Sequence, residues 1–264
     1  MSHQFPRIPV LGYCDPLSVR PGQTIGFKVS CAGEGSFSAR LLRSICADAN
    51  PDGPGIVEEA IDASVNGDYP ARAQAFNPGS YALVQKGPAI EGGVTLAATI
   101  WPTLPGDGEQ AVLSAGGFEL YLDGGGALAA SGGGVSVSTG KPLLVRQWCK
   151  VQLSYDPASG TLSVKQEPAG IWGAAAEASV SAPMAAYDTS QPVLIAAALR
   201  EGHADRHFDG KIEAPSIWAG SQAAAQWDFA RLTNSLTIED IGAGGHHGQL
   251  VNHPARAMTG AAWD

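Results

Sequence analysis

Apolar residues recur at every second position over much of this chain. Ile25, Phe27, Val29 and Cys31 alternate with other residues, as do Phe37, Ala39 and Leu41 in "SFSARLLRSIC", and Val151, Leu153 and Tyr155 further on. Period two is the pattern of a half-buried strand. Turn chemistry separates the alternating runs: Pro21-Gly22, the loop "ADANPDGPG", and "DPASG" between two strands. These residues preset the backbone of tight turns. The runs "VTLAATIWP", "GEQAVLSAGG", "FELYLDGGG", "ALAASGGG" and "VSVSTG" read as successive strands with glycine turns, and "PVLIAAAL" as an inner strand. About a dozen strands are predicted beyond residue 90. Only "IWGAAAEASVS" and "GSQAAAQWDFA" tolerate helix, and both are short.

The spacing predicts an all-β protein in two parts. Residues 1–86 form a small immunoglobulin-like β-sandwich, with a boundary at "QKGPAIEGG". Residues 87–264 carry enough antiparallel strands for two stacked sheets, and a jelly roll solves the open-edge problem this way.

Composition agrees. Hydrophobic residues make up 44%, enough for a core, while 34 glycines and 18 prolines interrupt any long helix. The net charge of −9 argues against nucleic acid as a partner. The N-terminus lacks a basic segment followed by an apolar run, and no stretch nears the roughly 20 apolar residues of a membrane span. A cytoplasmic protein without a membrane partner is the expectation. Cys14, Cys31, Cys46 and Cys149 lack paired spacing and read as buried thiols rather than zinc ligands.

Several features invite chemistry. "DIGAGGHHGQLVNHP" sets His246 and His247 among glycines, six residues from Asp240. Adjacent side chains on an extended segment point to opposite faces, so the pair is poorly placed to share one ion. The alternative is a turn: Gly244, Gly245 and Gly248 permit positive φ, one histidine packs beneath the loop, and Leu250 starts a core-facing strand. On that reading His247→Ala costs about 1–3 kcal/mol of stability. His203 and His207 have i, i+4 spacing but lack the glutamate of H-E-x-x-H, and read as a polar loop. Glu58, Glu59 and Asp62 in "VEEAID" have the wrong spacing for a glycosidase strand. The six tryptophans, Trp101, Trp148, Trp172, Trp218, Trp227 and Trp263, read as core plugs or as a sugar-stacking platform.

Three stretches resemble a known class of domain. "FDGKIEAPSIW", with Asp209 and Gly210, resembles a strand pair of laminin G-like, concanavalin A-like jelly rolls. "YDPASGTLSVKQ" resembles their hairpin. The segment from Trp227 and Phe229 to Asp240, Gly245, His246, His247 and Gly248 resembles their signature loop, although here it comes at the domain's end. Jelly rolls of this class often take calcium, which makes Asp107, Asp123, Asp156 and Asp240 the candidate ligands; each reads equally well as a turn former. The class also makes a carbohydrate-binding, lectin-like module the alternative function.

The order of "GYCDPLSVRPGQTIGFKVS", "DANPDGPGIVEEAI", "YPARAQAFNPGSYALV", "FDGKIEAPSIW" and "GHHGQLVNHPARAMTGAAWD" is similar to the N-terminal, non-catalytic region of the N,N-dimethylformamidase large (beta) subunit. In that family the amide-hydrolysing iron site, of tyrosine and glutamate ligands, lies in a downstream domain. The resemblance therefore implies no catalytic residue in this chain. It implies a scaffold that contacts an iron-dependent amidohydrolase chain supplied in trans, or that self-associates.

Overall fold

The computed structural model describes residues 9–15, 18–32, 35–73, 79–183 and 185–262. It divides into two compact units, Met1–Phe76 and Asn77–Asp264. All regular elements among the described residues are strands. The first unit holds β1 (Val10–Asp15), β2 (Gly26–Cys31), β3 (Ser36–Ala39), β4 (Leu42–Ala47), β5 (Ile56–Ala60) and β6 (Gly67–Pro70). The second begins with β7 (Tyr81–Val84), β8 (Val94–Pro102), β9 (Gln110–Ala115), β10 (Phe118–Leu122), β11 (Ala127–Gly132) and β12 (Val135–Pro142). It continues with β13 (Cys149–Asp156), β14 (Thr161–Pro168), β15 (Ala176–Ser181), β16 (Val193–Ile195) and β17 (Ala198–Arg200). The last five are β18 (His203–Asp205), β19 (Gly210–Ala219), β20 (Gln222–Asp228), β21 (Thr237–Asp240) and β22 (Gly248–Val251).

In the first unit the strands pair antiparallel as β1–β2, β3–β6 and β4–β5. The Phe37 and Tyr69 rings stack across β3 and β6, with centroids 5.6 Å apart. "SFSARLLRSIC" is two strands rather than one. β3 and β4 take different partners because the chain breaks at Arg40–Leu41, where the Leu41 N–H donates to Asn66 Oδ1 at 2.7 Å. The second unit starts before residue 86: Tyr81–Val84 forms ladders with both β16 and β22. Alternate residues of this strand are buried, so the period-two pattern is clear, but no local signal says which sheet receives it.

The second unit is a jelly-roll sandwich. One sheet runs β12-β11-β10-β9-β16-β7-β22-β21 and the other β20-β19-β8-β13-β14-β15; β20 and β21 join them. Fifteen described strands follow residue 90, more than the spacing implied. Both helix-tolerant stretches are strands. Ala176–Ser181 alternates half-buried and exposed residues and satisfies its backbone against β14, while Gln222–Asp228 buries Ala225 and Trp227. An open ladder and the right parity outweigh alanine's helix propensity. One core cluster fills the space between the sheets, with Leu96, Ile100, Phe118, Leu120, Leu153 and Trp227 among its members.

Gly248 sits at a tight point of this core. A Cβ there would lie 2.8 Å from the Leu83 carbonyl oxygen, 2.8 Å from Val84 Cγ2 and 3.0 Å from Ile238 Cγ1. Gly248→Ala is expected to destabilise the unit by about 1–3 kcal/mol, the usual cost of overpacking. Urea denaturation followed by circular dichroism measures it; an unchanged midpoint would contradict the packing argument.

Candidate functional site

The signature loop closes over the end of β21. Asp240 is 4% exposed and is the last residue of that strand. Its Oδ1 accepts the Gln226 N–H at 3.0 Å and the Gly242 N–H at 2.9 Å, and its Oδ2 accepts the His246 N–H at 2.8 Å. Burial alone would raise this carboxyl. The N–H donors of Gln226, His246 and Gly242, helped by the His246 ring, outweigh burial and hold it below the ordinary carboxylate range. The Trp227 indole N–H donates to the His246 carbonyl at 2.7 Å, so the core tryptophan and Asp240 grip the same residue.

The two histidines divide as follows. His246 is half-buried; its Nδ1 lies 3.1 Å from the Lys86 carbonyl, which only accepts, so Nδ1 carries the proton. Its ring lies over Gly244, where a Cβ would come within 2.5 Å of Cδ2. His247 is exposed, and its Nδ1 accepts the Asp240 N–H at 3.1 Å. The packed histidine is therefore His246, which corrects the stability cost expected at His247. His246→Ala should cost about 1–2 kcal/mol and His247→Ala under about 0.5, because water replaces an exposed acceptor. Thermal melts of the two variants test this order, and a larger loss at His247 would refute it. Of the three loop glycines only Gly245 takes positive φ, +66°; Gly244 and Gly248 are required by close approach.

Trp227 lies in the core and Phe229 packs against it. Asp209 donates its N–H to Gln110 Oε1 at 2.9 Å and accepts from the Thr103 N–H at 2.8 Å. A Cβ on Gly210 would meet the Trp101 carbonyl oxygen at 2.3 Å. These residues fasten β19 to β8.

The four aspartates singled out for calcium stand on separate turns. The Asp123 carboxylate accepts from the Gly125 and Ala127 N–H groups and the Ser138 hydroxyl. Asp156 accepts from Ser159 Oγ and the Ala158 N–H, and these bonds hold it below the ordinary carboxylate range. The Asp107 N–H donates to the Leu104 carbonyl. Among the described residues no three His, Cys, Asp or Glu side chains converge to hold a metal. His203 is on β18, whereas His207 lies in the loop beyond it, 5.7 Å from the Tyr81 ring. Extended backbone spaces positions four apart by about 13 Å, and the chain leaves β18 between them with positive φ at Arg206, so the proximity their spacing would have on a helix is lost. Glu58 and Glu59 are neighbours on exposed β5, with side chains to opposite sides. Cys31 and Cys149 are buried, and burial pushes the Cys149 thiol up to about 11; Cys14 and Cys46 are half-buried.

One cluster was missed. Glu119 is buried in β10 and pairs with Arg200 and with Arg206, which also reaches Glu109 at 2.7 Å. The Arg206 guanidinium lies 5.9 Å from the Tyr121 ring centre. The available signal was a glutamate between Phe118 and Leu120 in a wholly buried strand. A buried carboxylate needs partners, and here they come from beyond residue 198. The cluster ties the β17–β18 hairpin to β10.

Of the tryptophans, Trp227 and Trp148 are buried, Trp101 and Trp218 half-buried, and Trp172 65% exposed; Trp263 lies outside the described residues. The polar face of β8, β13 and β14 carries a shallow groove of about 230 Å³, lined by Ala97, Thr99, Lys150, Gln152, Lys165 and Glu167.

Comparison with known proteins bears out the resemblance read in the sequence. The chain is 30% identical over 311 residues to the N,N-dimethylformamidase beta subunit of Paracoccus aminophilus, a match covering 97% of this chain and 41% of that protein. It is 32% identical to the beta subunit of the same name from an Alcaligenes species, with the same coverage. The chain therefore spans well under half the length of these relatives. No family model matches it. Among solved structures it is similar to a candidate carbohydrate-binding protein from Bacteroides ovatus, with a TM-score of 0.50, 15% identity, and 74% of this chain and 65% of that chain covered. At that identity the likeness speaks for the fold alone.

Proposed function

We propose that this chain is a non-catalytic β-sandwich scaffold of an N,N-dimethylformamidase-type amidohydrolase, and that an iron-dependent catalytic chain supplied in trans binds to it. The observation that carries the reading is the match of 97% of the chain onto 41% of two dimethylformamidase beta subunits. The site geometry agrees with it, since the Asp240 carboxylate and both imidazole Nδ1 atoms are spent on backbone groups of the protein itself. The reading puts the chain in the cytoplasm, where its four unpaired thiols stay reduced.

Purification of the native protein under mild conditions, with mass spectrometry of every co-purifying chain, tests the proposal. An amidohydrolase chain in stoichiometric amount is expected, with amide hydrolysis lost on iron chelation. Recovery as a lone monomer would count against it. Hydrolysis by this chain alone, surviving chelators, would overturn it.

The groove on β8, β13 and β14 favours a second reading, a carbohydrate-binding module, because Thr99, Lys150, Gln152 and Glu167 offer donors and acceptors on an open face. A glycan array decides: hits lost in Gln152→Ala support it, and a blank array removes it.

A further inference from the structure

The strand registers bring three loops to one end of the second unit. β8 ends at Pro102, beside the start of β13 (Cys149↔Ile100), the end of β14 (Cys149↔Pro168) and the start of β19 (Gly210↔Pro102). The loops 103–109, 143–148 and 169–175 therefore share that end. They carry Leu104, Leu144, Val145, Ile171 and Trp172 exposed, Ile171 at 88% and Trp172 at 65%. The loops touch: Arg146 N–H donates to the Pro102 carbonyl at 2.8 Å, and a Cβ on Gly173 would lie 3.9 Å from Leu144 Cδ1. Arg146 holds positive φ, +57°, so the 143–148 loop keeps a conformation that a non-glycine residue rarely adopts.

The segment Thr259–Ala261 is tied to the same end. Lys211 Nζ donates to Thr259 Oγ1 at 2.9 Å and to its carbonyl at 3.3 Å, and Glu213 Oε2 accepts the Ala261 N–H at 2.9 Å. Lys211 Nζ also lies 4.5 Å from the Trp101 ring centre and 5.7 Å from that of Trp148. Trp148, Leu144 and Trp172 line one small crevice. Lys211 and Trp148 thus link Thr259 to the crevice that Trp172 lines.

We infer that this end of the jelly roll, centred on Trp172, is where the catalytic portion of the amidohydrolase docks. The inference rests on the function proposed above and gives it a place. The occupant is the counterpart of the more than half of each dimethylformamidase beta subunit that lies outside the matched stretch. An exposed tryptophan that shares a crevice with Leu144 and follows exposed Ile171, on loops tied to a sheet, has the make-up of an interface anchor. Elsewhere on the unit, the open face of β8, β13 and β14 is polar.

The test places a photoreactive benzoylphenylalanine at position 172, or at 159 in the β13–β14 turn at the opposite end. The full chain replaces the matched stretch of the Paracoccus aminophilus beta subunit, and the assembled enzyme is irradiated and mapped. Cross-links from position 172 into the unmatched portion, with none from 159, are expected. In the same hybrid divided into two chains, Trp172→Ser should weaken association roughly tenfold or more, as loss of an interface tryptophan does. If neither hybrid assembles, the label goes to the positions aligned with Trp172 and Ser159 in the unaltered Paracoccus subunit, where the same contrast is read. Cross-links from 159 alone overturn the placement but leave the proposed function standing. Cross-links from 172 only to another copy of the chain overturn it in favour of self-association. Cross-links from neither position overturn it too and, together with a native chain that purifies alone, overturn the proposed function as well.

Discussion

Asp240→Ala is expected to destabilise the jelly-roll unit by about 3–5 kcal/mol, toward the upper end for a single substitution. The carboxylate is 4% exposed and satisfies three backbone N–H groups, of Gln226, Gly242 and His246. Each donor left unpaired costs about 1–3 kcal/mol, and water entering the vacated space recovers part of the sum. Asp240→Asn keeps the shape but turns an NH2 toward a donor, so it should lie between the variant and the parent. The effect also has a pH signature. Three backbone donors hold this carboxyl below its ordinary value of about 3.9 in spite of burial. A depressed folded pKa contributes stability that is fully present above the unfolded value and is lost as pH falls through the folded one. The parent should therefore lose stability below about pH 4, and Asp240→Asn should show a shallower acid limb. Urea denaturation between pH 7 and pH 2 measures both, and parallel acid limbs would sink the argument.

Trp227→Ala is expected to cost about 3–5 kcal/mol. The indole is 1% exposed, fills the core cluster from β20 and spends its N–H on the His246 carbonyl. Its removal opens a cavity between the sheets and frees the loop that Asp240 holds. Because both residues act on His246, the double variant should lose less than the sum of the singles, with a coupling of about 0.5–3 kcal/mol. Denaturation midpoints of the four proteins give that coupling. Strict additivity would mean that the loop and the core are independent.

Much of this was legible along the chain. The alternation at Val151, Leu153 and Tyr155 and the turn residues of "DPASG" are local, and β13 and β14 appear where they place them. The same holds for the all-β class and for the match to dimethylformamidase subunits, carried by motifs spread over the whole chain. What stayed hidden depends on contacts distant in sequence. Tyr81–Val84 has the parity of a strand, yet only its ladders to β16 and β22 assign it to the jelly roll. Ala176–Ser181 and Gln222–Asp228 have alanine-rich sequences that tolerate helix, and an available sheet edge made them strands. His246 and His247 are equivalent as letters; the Lys86 carbonyl, 160 positions away, makes one structural and leaves the other at the surface. Period, turn chemistry and composition act between near neighbours, so the sequence by itself determined the class, most strand positions and the kinship. Sheet assignment, burial of a particular imidazole, the partners of Glu119 and the gathering of Leu144, Ile171 and Trp172 at one end were decided by tertiary structure alone, because each is set by backbone or side chains that meet only when the sheets close.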